Sequence, residues 1–139
     1  DKAEVRVEGN VVGKINYGMM LLVSFTYGDT EKEIDYLVNK VLNLRIFDDE
    51  NGVMNKSILD INGEILSISQ FTLYANTSKG NRPSYIDALK GEDAIKLYDM
   101  FNEKLKSKIH TETGVFGAEM KVDFINDGPI TILLEKENK

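Results

Sequence analysis

The chain has 139 residues and a formal net charge of −6, values that fit one domain and argue against a broad basic surface for nucleic acid. Hydrophobic residues make up 42%, and no apolar run approaches the roughly 18 residues of a membrane span, so we expect a folded cytoplasmic protein. The absence of cysteine excludes disulfides and thiolate chemistry, and a single histidine, His110, excludes a histidine-rich metal site.

Three strands are predicted before the first helix. Apolar and charged residues alternate over 3–7, apolar residues resume over 11–15, and the intervening Gly9-Asn10 is typical of a hairpin turn. The near-continuous apolar run 19–25 (MMLLVSF) is typical of a strand that is buried on both faces. The chain is therefore expected to begin with a hairpin followed by a core strand.

Two amphipathic helices are predicted. Thr30 and Glu33 have the spacing of a capping box, and the apolar residues that follow at helical spacing indicate a helix over 31–44. A second helix is indicated by five residues on one face: Ala94, Leu97, Tyr98, Phe101 and Leu105. The acidic run 48–52 is predicted to be a solvated turn, because it lacks a ligand at the first position of a calcium-binding loop.

The longest predicted strand covers 64–74 (EILSISQFTLY), which is rich in β-forming residues and apolar enough for a central position. Alternating apolar residues over 120–124 and 130–134 predict a hairpin near the end of the chain. Strands thus precede, separate and follow two helices. This order predicts an α+β fold of mixed layers in one domain over 1–139, layered β/β/α, with mostly antiparallel sheets or a partial barrel.

Few residues point to chemistry by themselves. His110 lies near the end of the second predicted helix, where the helix dipole favours a charged, water-facing side chain, and no Asp or Ser is spaced to form a triad with it. Ser69, Gln70 and Thr72 are polar residues in an otherwise apolar strand that leads into a Gly-rich loop. Either they face outward, as polar strand residues commonly do, or they form a site at the strand end.

Five blocks of sequence carry a family resemblance. They are residues 43–47 (NLRIF), 69–74 (SQFTLY), 79–84 (KGNRPS), 114–120 (GVFGAEM) and 126–131 (NDGPIT). In this order and spacing they resemble the D-aminoacyl-tRNA deacylase family, also called D-tyrosyl-tRNA deacylase, over essentially the whole chain. Five collinear blocks are far more specific than one short motif.

The resemblance implies a hydrolase that cleaves the ester between a D-amino acid and the 3′-terminal adenosine of tRNA, a form of chiral proofreading in translation. It implies an intertwined homodimer with each active site at the subunit interface. It also implies that the Gly128-Pro129 bond is cis and enters the pocket of the partner subunit. The family's opening short strand is missing upstream of Asp1. We predict no metal, no cofactor, no membrane contact and no DNA partner.

The matched blocks supply the candidate site residues. Catalysis is assigned to Ser69, Gln70, Phe71 and Thr72. Substrate binding is assigned to Gly128, Pro129, Phe116, Ala118, Met120 and Asn126. Phe116 and Met120 resemble adenosine-pocket positions, with core packing as the alternative. Lys79 and Arg82 are candidates for contact with acceptor-stem phosphates, with a solvated basic loop as the alternative.

Chiral selection by exclusion has a simple physical basis. Inverting Cα exchanges its hydrogen and its side chain, so a rigid main-chain wall admits the hydrogen and excludes the β-carbon at a cost of about 1–3 kcal/mol or more. Gly128 suits such a wall because the backbone of a glycine can approach a ligand closely. Glycine as a substrate carries two hydrogens on Cα, so we predict that glycyl-tRNA is hydrolysed as well.

The catalytic step is predicted to depend on backbone donors. Thr72 as a nucleophile needs a base, and the sequence places no histidine or buried carboxylate near it. The N–H groups of Phe71 and Thr72 are better candidates as oxyanion donors, with the 2′-hydroxyl of the substrate positioning water. Two other functions stay open: a non-catalytic dimeric module that binds a 3′-aminoacyl-adenosine or a D-amino acid, and a general esterase, which the lack of a base disfavours.

Overall fold

Small sheets and two α-helices make up residues 1–137, the part of the chain that the computed structural model describes. Residues 138–139, the end of the predicted domain, lie outside the described residues. In chain order the elements are β1 (Ala3–Val7), β2 (Asn10–Ile15), β3 (Gly18–Val23), α1 (Glu31–Asn43), β4 (Phe47–Asp48), β5 (Met54–Lys56), β6 (Glu64–Ser69), a 3-10 turn (Phe71–Tyr74), α2 (Gly91–Lys106), β7 (Thr111–Thr113) and β8 (Lys121–Phe124).

The central sheet has the order β3-β6-β7, and both of its pairings are parallel. Each pair of parallel strands is joined by a connection that contains a helix. Such a crossover brings the chain back to the end of the sheet where the first strand began, so the second strand runs in the same direction. Residues 65–68 of β6 are at most 1% exposed, so the predicted central position of this strand is confirmed. The other two sheets, β2-β1-β8 and β4-β5, are antiparallel as predicted.

The two faces of β6 contact different layers. Leu66 and Ile68 pack with Ala3, Val5 and Ile15 from the antiparallel sheet on one side. The helices cover the other side through a larger cluster that includes Met19, Phe25, Ile34, Val38, Val41, Leu42, Ile65, Tyr98, Phe101 and Leu105. The predicted β/β/α order is confirmed, and the sheets do not close into a barrel within residues 1–137.

Helix α1 begins with the predicted capping box. Thr30 N donates to Glu33 Oε1 at 3.2 Å, and Thr30 Oγ1 accepts from Lys32 N at 3.3 Å. These contacts satisfy amides that the first turn would otherwise leave without partners. Neither α-helix in residues 1–137 has an apolar stretch long enough to cross a bilayer.

The strand predicted over 64–74 is too long. It ends at Ser69, and the 3-10 turn Phe71–Tyr74 takes up its last residues. The strands on either side end at the same level, because β3 reaches only Val23 and β7 only Thr113. A backbone without strand partners must find other acceptors, and here it turns to local i→i+3 hydrogen bonds.

The predicted strand over 130–134 is wrong, since residues 125–137 form no strand. The edge of β8 pairs with β1, and Asn126 ties the following residues into a tight turn that leads the chain away from β8. The predicted burial of 19–25 on both faces is wrong at Leu22, which is 43% exposed. The short strand β7 carries no clear alternation of its own, and the sequence analysis did not predict it.

Candidate active site

The 3-10 turn after β6 presents two backbone amides without an acceptor. Gln70 N donates to Val23 O at 2.8 Å, which extends the pairing of β6 with β3 by one residue. The N–H groups of Phe71 and Thr72 open the turn, and neither makes a hydrogen bond within residues 1–137. Two adjacent free donors at the start of a helical turn can receive an oxygen that carries negative charge.

The hydroxyl of Thr72 has no base beside it. Its hydrogen-bond partner is the side-chain amide of Gln70, whose Nε2 donates to Thr72 Oγ1 at 2.5 Å. His110 lies just beyond α2 with its side chain 56% exposed, and its Nε2 lies 3.1 Å from Glu112 Oε2. Within residues 1–137 no cluster of three or more His, Asp or Glu side chains is arranged to hold a metal ion. The turn thus offers two free backbone amides and the Thr72 hydroxyl.

An exposed aromatic ring and a basic loop border the turn. The Phe71 ring meets Tyr85 edge-on with centroids 5.1 Å apart, and Lys90 Nζ lies 5.5 Å from the Phe71 centroid. The loop between them is closed by paired hydrogen bonds between the backbones of residues 76 and 84, at 2.7 and 2.9 Å. Lys79 and Arg82 lie on this loop, are exposed and form no ion pair in the described part of the chain.

Two of the predicted adenosine-pocket residues flank the end of β6 on opposite faces. The Phe116 ring packs on Tyr98 of α2, with centroids 5.8 Å apart. Met120 packs in the cluster that contains Ile68, and a β-carbon on Gly114 would lie 2.6 Å from Met120 Sδ, so a larger residue at 114 would require Met120 to move. All of these side chains are partly or fully buried, so part of the role of Phe116 and Met120 is core packing.

Ala118 lies between these two residues in the chain. Its N–H donates to Val115 O at 3.2 Å and closes a turn in which Gly117 has φ +77°. The left-handed conformation of Gly117 explains the glycine, because other residues adopt it at a cost. This turn carries the chain from Phe116 back toward Met120 across the end of β6.

The turn around Gly128 is shaped by Asn126. The Gly128-Pro129 peptide bond is cis, as the resemblance implies. Asn126 Oδ1 accepts from Ile130 N at 3.0 Å, and Asn126 Nδ2 donates to Thr131 Oγ1 at 2.9 Å. Both polar ends of the Asn126 side chain are thus engaged in bracing the turn.

The Gly128 turn and the β6 end are separate within one chain. In residues 1–137 no hydrogen bond or ring contact joins 126–129 to 69–72. Gly128 instead lines a groove of about 1060 Å³ that has Leu73 on its wall. Exposed apolar residues continue along this part of the chain: Phe124, Ile125, Ile130, Ile132 and Leu133.

Three buried polar residues behind the turn were not singled out by the sequence analysis: Ser67, Tyr98 and Asn102. Tyr98 Oη donates to Ser67 O at 2.7 Å. Burial raises the pKa of Tyr98, and hydrogen bonds with Asn102, Ser67 and the Ser69 backbone oppose that rise. For Tyr98 and Asn102 a sequence signal existed, because a hydroxyl and an amide lie one helical turn apart on the apolar face of α2.

The chain is similar to known proteins over nearly its whole length. A sequence model of the family described as D-Tyr-tRNA(Tyr) deacylase matches residues 1–135. The D-aminoacyl-tRNA deacylase of Bacillus cereus (strain B4264) is 53% identical over 137 residues, which are 98% of this chain and 94% of the relative. The D-aminoacyl-tRNA deacylase of Bacillus thuringiensis (strain Al Hakam) is 52% identical with the same coverage.

Two solved structures share the fold. A structure named c-Myc DNA Unwinding Element Binding Protein has a TM-score of 0.93 and 40% sequence identity, covering 99% of this chain and 94% of that protein. A probable eukaryotic D-amino acid tRNA deacylase has a TM-score of 0.77 and 16% identity, covering 91% of this chain and 90% of its own. The second likeness, at 16% identity, concerns the fold alone.

Proposed function

The chain belongs to the D-Tyr-tRNA(Tyr) deacylase family, and we propose that it hydrolyses D-aminoacyl-tRNA with the free amides of Phe71 and Thr72 as its oxyanion site. Identity of 53% to D-aminoacyl-tRNA deacylases over nearly the whole chain makes it a hydrolase and not a non-catalytic module. Its substrate is charged tRNA, which translation consumes in the cytoplasm, and we place the enzyme there. The observation that carries the mechanism is the pair of unused N–H groups at the end of β6.

Ester hydrolysis needs stabilisation of a developing oxyanion. Water adds to the ester carbonyl carbon, the carbonyl oxygen becomes negative, and the bond from carbon to the 3′-oxygen of the terminal adenosine then breaks. The proton that water loses ends on that 3′-oxygen, so the products are tRNA and the free amino acid. A preorganised oxyanion donor is worth roughly 10²–10³ in rate, so two such donors can supply a large part of the catalysis.

The 2′-hydroxyl of the terminal ribose is next to the scissile ester and can position the attacking water. This assignment fits the surroundings of Thr72, whose hydroxyl is paired with the Gln70 amide and has no base beside it. Ser69 and Gln70 act by holding the turn, and Thr72 contributes its N–H. Thr72→Ala is therefore expected to retain substantial activity.

We assign the adenine to Phe116 and Met120. Both lie beside the end of β6, and Phe116 is only partly buried against Tyr98, which leaves ring surface for a base. Stacking of a base on an aromatic ring is worth about 1–3 kcal/mol. Ala118 lies in the turn that joins them.

Discrimination against L-amino acids is assigned to Gly128-Pro129 of a partner subunit. The turn is exposed and braced by Asn126, and it is flanked by exposed apolar residues that a second copy of the chain would cover. Seated over the β6 end of the partner, its main chain would leave room for a hydrogen on Cα and none for a β-carbon. This arrangement requires a homodimer.

The tRNA grip is assigned to the basic loop. Lys79 and Arg82 are exposed on the loop that follows the turn, where they can meet acceptor-stem phosphates while the rest of the acidic surface repels them. A structural relative at 40% identity carries the name of a DNA-binding protein. Because the family and the relatives at 53% identity are named for deacylation of tRNA, we propose RNA 3′ ends and not DNA as the partner of this chain.

Release of amino acid from matched tRNA substrates tests this function. We expect hydrolysis of D-tyrosyl-tRNA and of glycyl-tRNA, with L-tyrosyl-tRNA left intact under the same conditions. Hydrolysis of both enantiomers would indicate a general esterase, and binding of D-tyrosyl-tRNA without release would indicate a binding module. If glycyl-tRNA survives while D-tyrosyl-tRNA is cleared, exclusion by a wall is not the whole mechanism. Duplex DNA of matched length serves as the binding control.

A further inference from the structure

The end of β6 lacks a strand partner on one of its two edges. On the β3 edge, the Gln70 amide is still bonded to Val23 O. On the β7 edge, pairing stops at Ser67, whose carbonyl accepts from Gly114 N at 3.2 Å. Beyond that bond the chain of β7 turns away, and Ser69 has no strand neighbour on this side. A strand held on one edge only is free to tilt about that edge.

Tyr98 lies beside the edge of β6 that β7 leaves unpaired. This α2 residue is 3% exposed, and its hydroxyl donates to Ser67 O at 2.7 Å. The Ser69 backbone interacts with the same hydroxyl, and Asn102, one helical turn further along α2, lies against it. The buried hydroxyl thus holds Ser67, the last residue of β6 that pairs with β7, two residues before the strand ends at Ser69.

We propose that Tyr98 is a positioning residue for the deacylase reaction, whose hydroxyl fixes the end of β6 and so aims the N–H groups of Phe71 and Thr72. The proposal rests on the function argued above. Phe71 and Thr72 follow Ser69 by two and three residues, so a tilt at Ser69 is carried directly into the direction of both donors. Oxyanion donors act only within about 2.7–3.1 Å of the oxygen, and a misplacement of about 1 Å can cost on the order of 10²-fold in rate.

The hydroxyl is not needed for packing. The Tyr98 ring already fills the core between Phe116 and the helices, and a phenylalanine ring would do the same. Removing the hydroxyl also leaves Ser67 O bonded to Gly114 N, so no carbonyl loses its only partner. What the hydroxyl adds is its hold on the strand end.

Tyr98→Phe tests the proposal against Phe101→Leu as a matched control. Phe101 lies three residues further along α2, is equally buried, and packs on Phe25 with centroids 6.5 Å apart, and its side chain has no group that can form a hydrogen bond with β6. We expect Tyr98→Phe to lower kcat for D-tyrosyl-tRNA by about 10- to 100-fold with KM within about twofold. Phe101→Leu is expected to lower the melting temperature more while leaving kcat unchanged, with both variants assayed well below their melting temperatures.

An NMR readout separates positioning from activity. The backbone amide resonances of Phe71 and Thr72 are expected to shift in Tyr98→Phe and to stay in place in Phe101→Leu. A kcat for Tyr98→Phe within twofold of wild type, with unmoved amides, overturns the proposal. A wild-type chain that does not hydrolyse D-tyrosyl-tRNA overturns the proposed function and with it the catalytic meaning of Tyr98. Shifted amides in that case still support the hold of Tyr98 on the strand end.

Discussion

The end of β6 and the turn around Gly128 are both short backbone segments with a proposed part in one reaction, but different contacts hold them. The β6 end lies in the middle of the molecule, with residues 65–68 at most 1% exposed and with contacts to two sheets and both helices. The Gly128 turn is exposed, and the contacts that hold it come from Asn126 within the turn itself.

This difference separates catalysis from discrimination. Oxyanion donors must keep their direction to a fraction of an ångström, which a buried strand end between packed layers can supply. A wall that rejects one enantiomer must stand on the far side of the substrate, where the same strand cannot reach. Placing it on an exposed turn leaves it available to a second copy of the chain. The predictions below test each half of this division, beginning with the largest expected effect.

Thr72→Pro tests the proposed role of the backbone amides in catalysis. Proline has no N–H, so this variant removes the Thr72 donor; it also removes the hydroxyl that accepts from Gln70 and crowds the backbone of Phe71, the neighbouring donor. We expect kcat for D-tyrosyl-tRNA to fall by about 10²–10³. Thr72→Ala is the control, since it removes the hydroxyl and keeps the N–H, and it should stay within about tenfold of wild type. Loss of all turnover in a folded Thr72→Ala protein would make the hydroxyl the nucleophile.

Gly128→Ala tests the proposed role of the Gly128 turn in the selection of enantiomers. Gly128 has φ +122°, and a β-carbon there would lie 2.8 Å from Ile130 Cγ1, so the turn has to move. We expect the ratio of kcat/KM for D- over L-tyrosyl-tRNA to fall by about 5- to 150-fold, the equivalent of about 1–3 kcal/mol. Asp127→Ala changes the neighbouring exposed residue without a new β-carbon and should keep the ratio. An unchanged ratio in Gly128→Ala would remove this turn from the selection of enantiomers.

Leu133→Asp tests whether a second copy covers the exposed apolar segment. Leu133 is 70% exposed in the single chain, and a carboxylate at this position would be costly to bury in an interface. We expect the dimer dissociation constant, measured by sedimentation velocity over a dilution series, to rise about tenfold or more, with activity falling in parallel. Val53→Asp, at a 57% exposed position in the turn between β4 and β5, is the control. A monomeric wild-type chain that is fully active would contradict the shared site.

Lys79→Ala combined with Arg82→Ala should have the smallest effect, because these residues are remote from the bond that breaks. If both contact phosphates, the slope of log affinity for tRNA against log salt should decrease by about two. The ratio of D to L hydrolysis should not change. The exposed cations Lys14 on β2 and Lys32 on α1 offer a control that removes the same charge, and Lys14→Ala combined with Lys32→Ala should leave the slope as it is. Equal slopes for all three proteins would make the loop a solvated one.

Much of the fold was predictable from local sequence. The capping box of Thr30 and Glu33 and the apolar face of 31–44 specify α1 without any other part of the chain, because these contacts span only a few residues. The near-continuous apolar run of β6 marked it as central for the same reason: a strand covered on both faces must be apolar throughout. The proposed site residues come from collinear family blocks and stay a prediction, and the cis Gly128-Pro129 bond agrees with that resemblance.

Other features depend on residues that are distant in the chain. The end of β6 at Ser69 is decided by the lengths of β3 and β7, and the apolar pattern over 130–134 stays unpaired because no strand within residues 1–137 pairs with it. Tyr98 meets Ser67 across 31 positions of sequence. Periodicity reports which residues will be buried, since burial follows from side-chain spacing along one element. The backbone groups that remain without hydrogen-bond partners are decided only when separate elements pack together. The proposed oxyanion site depends on two such groups, so only the tertiary structure could reveal it.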